Sequence, residues 1–474
     1  MFSLCVFLKA QVQTEWLKSY GDETAQTGYQ TLNLGDGTII LIGITEGIDT
    51  YTEEVLIVKI SISGDTLLTR KIGKSRNIST PAICPTSDSG FIVSFSAKRI
   101  DKNLHDIYIS KFDSNTNIVW NKKYISIANE TVKSIKQTKE GFIMLGEHQA
   151  LFQQSHDTKL LLFKVDTNGD SLWVKKISQV GSGKSIAVSP ENGYAFIGNF
   201  GDKVTKTDEN GIELWQKDFS SYNTGNYIEA TNDGGYIITG VSNSKLMLLK
   251  MDSDGNVEWI RRYGENAKSI GFCVRQVSGG GFIATGQITN DKGDTAIYIV
   301  KTNDIGELLW TFIKRTEMPK GIGMDKTVKP PIPVDDKNYI EEIYPGQYVI
   351  VGTVIDEWDW DFGLLKLTDL TFKNESINQM AIPNFELSQN YPNPFNSSTL
   401  IKYKILDESY IRIIVYDLMG NEIKNIIDDY HQKGQYKLQW NGIDNLGHLV
   451  SGGIYFYKLQ SGNYTQTRKM LFLK

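Results

Sequence analysis

The sequence predicts an all-β chain: a seven-bladed β-propeller followed by a small Ig-like β-sandwich. Three observations carry that expectation. One unit recurs seven times at the period of a four-stranded blade, two incomplete copies at the ends of the array complement each other, and the last 90 residues change to a different strand pattern.

The clearest copy of the unit is Asp233-Gly-Gly-Tyr-Ile-Ile-Thr-Gly240, followed by the run from Leu246 to Gly264 that contains Trp259. Its Trp recurs at Trp120, Trp173, Trp215, Trp259 and Trp310, with Leu68 in the same slot earlier, in steps of 52, 53, 42, 44 and 51 residues. The Gly that ends the first run recurs at Gly43, Gly146, Gly198, Gly240, Gly286 and Gly352, with Phe95 in its place in the second copy. Each copy alternates short β-branched and aromatic runs with Gly, Asn and Asp, which is strand and turn chemistry without helical periodicity. Asp166-Thr-Asn-Gly169, Asp208-Glu-Asn-Gly211 and Asp252-Ser-Asp-Gly255 supply residues that tolerate positive φ in a tight hairpin. The same turns lack an EF-hand's spacing, since Gly is fourth and a hydrophobic strand follows, so they are expected as turns and not calcium loops.

The seventh copy, Gln347 to Gly352 and Phe362 to Thr368, lacks a following Trp strand, while the chain opens with an orphan Trp16-Leu-Lys-Ser-Tyr-Gly21. The Trp16 segment is therefore expected to be the outermost strand of the seventh blade, closing the ring and removing an exposed edge. Before it, residues 1–10 form a short apolar run ending at Ala10, expected as a signal peptide without its usual basic opening; an outer strand fits the same run. Cleavage there would leave Cys84 and Cys273, in equivalent strands of non-neighbouring repeats and expected as buried thiols, not a disulfide.

The propeller is expected over residues 11–372, a linker over 373–384, and the sandwich over 385–474, with alternating strands at Leu400 to Ile405, Ile411 to Asp417, Gln435 to Trp440 and Gly453 to Leu459. Composition is ordinary for a globular protein, at 40% hydrophobic and 22% charged. The net charge of −5 provides no basic field for a phosphate backbone, which argues against nucleic acid as a partner. No apolar run reaches the roughly 18 to 20 residues of a membrane-spanning helix, so no transmembrane segment is expected.

The C-terminal residues Asn390-Tyr-Pro-Asn-Pro-Phe-Asn396, Val415-Tyr-Asp-Leu-Met-Gly420, Trp440-Asn-Gly-Ile-Asp, Gly447, Ser451-Gly-Gly-Ile-Tyr455 and Lys469-Met470 resemble the type A C-terminal sorting domain of the type IX secretion system of Bacteroidota. The match runs in family order from about Phe385 onward. Asn390, Pro392, Asn393, Pro394, Asp417, Gly420, Trp440, Gly447, Gly452, Gly453, Tyr455 and Lys469 stand at its motif positions. The resemblance implies export across the inner membrane, passage through the outer membrane, and then removal or lipid anchoring of this domain at the cell surface. Its partner would be the type IX machinery. The Lys-x-Asp-x-x-Gly-x-x-x-Trp wording of the repeats also resembles the tryptophan-docking repeats of quinoprotein dehydrogenase propellers, in blade packing only. Those carry eight blades and usually a vicinal Cys pair, both missing here, so no quinone or other cofactor is expected.

Chemistry is expected at the end of the ring where second-to-third strand loops and blade connections lie. The long insertion Ile313 to Tyr339, the acidic loop with Asp49, Tyr51, Glu53 and Glu54, and the pair Trp358 and Trp360 belong to neighbouring blades and should converge. Aromatics beside carboxylates suit a sugar ring, and packing beneath the insertion is the structural alternative for both tryptophans. His105, His148 and His156, with Asp106, Glu147 and Asp157, share that end; without an HExxH-like spacing they are expected as loop residues and no metal site is assigned. Glu229 and Arg275 lie on innermost strands and are expected to pair across the ring. The leading expectation is a secreted or surface-attached, non-catalytic module that binds glycan or protein. The alternative is a surface polysaccharide hydrolase or lyase, which two carboxyls within about 5 to 10 Å in one concave site would favour.

Overall fold

The computed structural model describes residues 12–473 apart from 21–25, 47–51, 100–103, 127, 151–157, 190–192, 199–200, 220–222, 265–266, 294, 315–338, 357–358, 372–384, 406–407, 418–420 and 462–463. The side chains of 178–180, 353–356, 359–362, 386 and 464–465 are likewise outside the description. Every element among the described residues is a strand, and the chain divides into two compact units, Met1–Thr371 and Phe372–Lys474.

In the first unit the strands form seven four-stranded antiparallel sheets. Sheets 1 to 6 are each built from four consecutive strands and open with Gln26–Asn33, Ala82–Pro85, Asn129–Thr138, Ser185–Val188, Asn223–Ala230 and Lys268–Gln276 in turn. Sheet 7 takes Ile340–Tyr344, Gln347–Asp356 and Asp359–Asp369 from the end of the unit and Val12–Tyr20 from its start. Neighbouring sheets share apolar cores: Ile40 with Val93, Ile92 with Met144, Leu145 with Phe196, Ile197 with Ile238, and Ile237 with Ile283 and Ile350. Leu41 and Leu56 of sheet 1 pack with Val351 and Leu364 of sheet 7, so the series returns to its beginning. This is a β-propeller, in which each sheet buries both faces against its neighbours.

The strand Val12–Tyr20 pairs with Asp359–Asp369 from Val12 opposite Asp369 to Tyr20 opposite Phe362, with a bulge between Thr14 and Trp16. It is also tied to sheet 1. The Tyr20 hydroxyl donates to the Gly64 carbonyl at 2.9 Å, and Lys18 Nζ meets Asp65 Oδ1 at 3.0 Å.

The repeat wording follows from this packing. In each Asp-x-Asx-Gly turn the Asp carboxylate accepts two backbone amides of its own loop, at 2.9 and 2.8 Å for Asp252, and the Gly takes positive φ, +78° at Gly255. That Gly is the seat of the previous sheet's Trp: a Cβ would lie 2.8 Å from Trp120 at Gly169, 3.0 Å from Trp173 at Gly211, 2.7 Å from Trp215 at Gly255 and 2.8 Å from Trp259 at Gly306. Trp16 meets Gly64 in the same way across the closure, and Trp310 instead donates its Nε1 to Asp369 Oδ2 at 2.7 Å. The repeated Lys is buried and satisfied, as where Lys250 holds Asp233 at 2.8 Å and Glu258 at 3.0 Å. Gly255→Ala is expected to cost about 2 to 4 kcal/mol, from overpacking against Trp215 added to the positive-φ penalty. Gly234→Ala, with φ of +85° and open space around the added methyl, should cost only about 1 to 2 kcal/mol. Equilibrium unfolding of the two variants measures the difference, and equal losses would remove the docking explanation.

The second unit packs a three-stranded sheet, Phe385–Leu387, Thr399–Ile405 and Gly434–Trp440, with a four-stranded sheet in the order Glu422–His431, Ser409–Tyr416, Gly453–Ser461, Tyr464–Phe472. Ile401, Tyr403, Ile413, Val415, Tyr457 and Leu459 alternate inward from both sheets into one core that also holds Trp440. Cys84 and Cys273 of the first unit are free and buried, and burial pushes their thiols up to about 12 and about 11.

Candidate functional site

The first strands of all seven sheets line one cavity of about 570 Å³. One rung of it is read directly from strand register: the residue paired with the position after each sheet's aromatic or aliphatic lead is Leu32, Cys84, Lys136, Ala187, Glu229, Arg275 and Glu341 in sheets 1 to 7. Apolar and small residues occupy sheets 1, 2 and 4, and all four charges fall on sheets 3, 5, 6 and 7.

Those charges are joined. Arg275 Nη1 donates to Glu229 Oε2 and to the Tyr227 hydroxyl, and its Nε lies 3.3 Å from Glu341 Oε2. Lys136 Nζ reaches past Ala187 to the Tyr227 hydroxyl at 3.3 Å, and Tyr339 meets the Tyr227 ring edge-on at 5.7 Å. Burial holds the Glu341 carboxyl above the usual range, Arg275 working against that and Glu229 adding to it. Burial and the nearby Arg275 charge lower the Lys136 ammonium. Glu229 and Arg275 do pair, but between adjacent sheets and not across the ring. Two carboxyls therefore converge in a concave site, but one guanidinium engages both of them.

Lys136, Tyr227, Tyr339 and Glu341 were not legible as site residues from single copies of the repeat. Aligning the copies on their Gly, or on Phe95 in the second, puts Leu32, Cys84, Ala187, Glu229, Arg275 and Glu341 in one column eleven residues before it, but Lys136 stands one residue out of step, so only strand register brings it onto the rung.

At the elaborated end, Asp49, Tyr51 and Trp358 lie outside the described residues, as do His156, Asp157 and most of the Ile313 to Tyr339 insertion. Trp360 is placed by its backbone alone: it pairs with Ile355 next to the turn of the Gln347–Asp356 and Asp359–Asp369 hairpin. Glu53 opens the third strand of sheet 1, opposite Glu46, and its Oε2 accepts the Ile78 amide at 2.6 Å. His105 and His148 were expected in exposed loops but lie on strands, His148 buried, and both find protein partners. His105 contacts Asn129 Oδ1 at 2.8 Å and Asn77 Oδ1 at 3.2 Å, and buried His148 contacts Glu130 Oε1 at 2.8 Å. Asp106, fully buried, is held by Arg99 at 3.0 Å and Lys123 at 3.2 Å, and Glu147 by Lys133 at 2.5 Å.

In the second unit the motif residues mostly build the sandwich. Asn390 is buried, donates its side-chain amide to Pro392 O at 3.1 Å and Thr399 Oγ1 at 2.9 Å, and donates its backbone amide to the Tyr457 hydroxyl at 2.8 Å. Asn393 Oδ1 accepts the Leu471 amide at 2.8 Å, tying the Tyr-Pro-Asn-Pro segment, with cis bonds before Pro392 and Pro394, to the last strand. Trp440 donates to Ile443 O at 3.1 Å, Tyr455 to Ser451 O at 2.7 Å, and Asp417 accepts the Asn421 amide at 2.9 Å. Gly447 and Gly453 take positive φ, while Pro392, Pro394, Gly452 and Lys469 are exposed and Gly420 lies outside the described residues. Residues 389–473 match the family described as the Secretion system C-terminal sorting domain. The C-terminal unit carries a type IX sorting domain. Such a domain directs secretion and attachment at the outer cell surface, through the type IX machinery.

The sorting domain match leaves the first unit unassigned. No curated protein matches the chain. Among solved structures it is similar to a catalytically inactive virginiamycin B lyase from Staphylococcus aureus with quinupristin (12% identity, 74% of this chain and 99% of that one, TM-score 0.46). It is also similar to the Cps50 β-propeller domain of Myceliophteria thermophila (9%, 74% and 99%, 0.46) and to YCF48 from Cyanidioschyzon merolae (10%, 74% and 98%, 0.40). At these identities and scores the likeness carries neither ligand nor activity to this chain.

Proposed function

We propose that the chain is a secreted or surface-attached binding protein. In this reading residues 11–372 are a seven-bladed propeller that holds a glycan or protein ligand without catalysis, joined by a linker at 373–384 to an Ig-like sorting domain at 385–474. Residues 1–10 are its export signal. The ligand sits at the end of the ring that carries Asp49, Tyr51, Glu53, Trp358 and Trp360, where aromatic faces stack on a sugar and carboxylates take its hydroxyls.

The observation that carries the non-catalytic reading is the Arg275 guanidinium bound to both Glu229 and Glu341. A general acid and base need different protonation and access to the same reacting bond, and here the two carboxyls share one permanent cation instead. The hairpin register supports a place for Trp360 at the end of this hairpin, since Asp356 is paired with Asp359 and Ile355 with Trp360.

The test is a glycan-array and surface-polysaccharide screen of the full chain beside a Trp358→Ala/Trp360→Ala variant. The reading expects saturable binding that falls at least 10-fold in the variant, consistent with the loss of stacking of about 1 to 2 kcal/mol per ring. Binding that is unchanged in the variant removes this surface from consideration, and binding to neither array directs the search to protein ligands.

A further inference from the structure

We infer that the central cavity of the ring is a second binding site, which takes the carboxylate of a small organic acid between Lys136 and Arg275. This does not rest on the ligand of the elaborated end, and it assigns no reaction to the cavity.

The four charges of the rung sum to zero but are unevenly paired. Glu229 and Glu341 are both spent on Arg275, and Lys136 has only a 3.3 Å contact with the neutral Tyr227 hydroxyl. Among the described residues no carboxylate lies within ion-pair distance of Lys136 Nζ. Arg275 with its two carboxylates carries one net negative charge that balances Lys136 from a distance, but the ammonium itself contacts only a neutral hydroxyl, and two of its three hydrogens remain available. Arg275 adds to the same corner. It engages its protein partners through Nη1 and Nε, which leaves the hydrogens of Nη2 for another acceptor.

Both cations converge on one phenol. Lys136 Nζ stands 5.6 Å and the Arg275 guanidinium carbon 5.3 Å from the Tyr227 ring centroid. A planar carboxylate is the acceptor that suits two nitrogen donors side by side. Its single charge is the least an anion can add to an already neutral cluster, whereas a phosphate would bring up to two charges next to Glu229 and Glu341. Room comes from Ala187, the smallest residue on the rung, which separates the Lys136 and Glu229 positions in a cavity of about 570 Å³. That volume is within the range of small-molecule sites.

The groups that face Lys136 are Cys84 from sheet 2, Tyr227 and Glu229 from sheet 5, Cys273 and Arg275 from sheet 6, and Glu341 from sheet 7. Binding requires the protonated amine. Because burial and Arg275 lower the Lys136 ammonium, affinity should decline with rising pH below the range where an exposed lysine titrates.

The experiment is thermal unfolding of the full chain with acetate, D-galacturonate, neutral D-galactose or inorganic phosphate at equal ionic strength, repeated with Lys136→Met and Lys136→Arg. A carboxylate at about ten times its dissociation constant should raise the midpoint by about 2 °C, galactose should not, Lys136→Met should abolish the rise and Lys136→Arg should keep part of it. Met replaces a poorly paired charge by an apolar chain of similar length, so that variant should fold at least as well as the parent. The inference is overturned by the absence of a rise with either carboxylate, by a rise that survives in Lys136→Met, or by phosphate stabilising more than both carboxylates. Polymer binding at the Trp358 end should be the same in Lys136→Met, so failure here and failure of the surface reading are separable.

Discussion

A chain that begins at residue 21 should not fold to a stable monomer. Removing Val12–Tyr20 takes away a strand paired along its length with Asp359–Asp369, the Lys366 to Glu15 ion pair at 2.8 Å, the Trp16 seat on Gly64 and the Tyr20 bond to Gly64. Eight paired positions at about 0.5 to 1.5 kcal/mol per net hydrogen bond amount to roughly 4 to 12 kcal/mol. That is comparable to the whole stability of a typical protein. It also leaves the third strand of sheet 7 as a bare edge, open to pairing with another chain. Size-exclusion chromatography and urea unfolding of the truncated chain check this. The expected result is aggregation or a transition shifted by more than 1 M urea, and a monomer with an unchanged midpoint would mean that the closure contributes nothing.

The second large effect is expected in the sorting domain. Trp440 is 2% exposed, packs against Phe395, Tyr455 and Phe472 with ring centroids 5.7, 5.4 and 6.3 Å away, and donates to Ile443 O. Truncation to Ala should cost about 3 to 5 kcal/mol, enough to unfold a sandwich of this size. Trp440→Ala in the full chain should therefore abolish secretion while the propeller unit remains folded. Fractionation of a producing cell reads the outcome, with the protein retained inside in the expected case. Normal surface delivery would show that export does not require the folded sandwich. Lys469→Ala, at an exposed position of the last strand, is the control that should leave folding intact.

How much of this was legible in the sequence depends on whether a residue acts locally or across sheets. The Gly and Trp positions repeat because each satisfies a demand within one sheet or at its border, a positive-φ turn or a ring seated on it, and such demands leave a period. The closing strand was readable for the same reason, as a Trp without a repeat and a repeat without a Trp. The rung of Leu32, Cys84, Lys136, Ala187, Glu229, Arg275 and Glu341 has no period in residue type. Its members depend on what stands across the channel, and that information is spread over more than 300 residues of chain. Glu229 and Arg275 were visible as charges on apolar strands, but Lys136 and Glu341 acquire meaning only once Tyr227 and Arg275 are seen to connect them.

The elaborated end is the reverse case. Trp358, Trp360, Tyr51, Asp49 and Glu53 were chosen for their chemistry and for the adjacency of sheets 7 and 1. The shared core of Leu41, Val351 and Leu364 makes those sheets neighbours, and the Ile355 and Trp360 pairing places one of the tryptophans beside a turn. A common surface of their rings depends on side-chain conformation, which neither periodicity nor strand register determines.

The central claim is that the exported propeller holds its ligand without converting it. It is tested most directly by incubating the full chain, at stoichiometric excess, with a polysaccharide it binds and measuring the chain length and new ends of the recovered polymer. The polymer should be recovered intact, with binding lost in Trp358→Ala/Trp360→Ala. Shortened polymer or new unsaturated or reducing ends, formed by the parent chain and absent with that variant, would contradict it and establish a surface hydrolase or lyase.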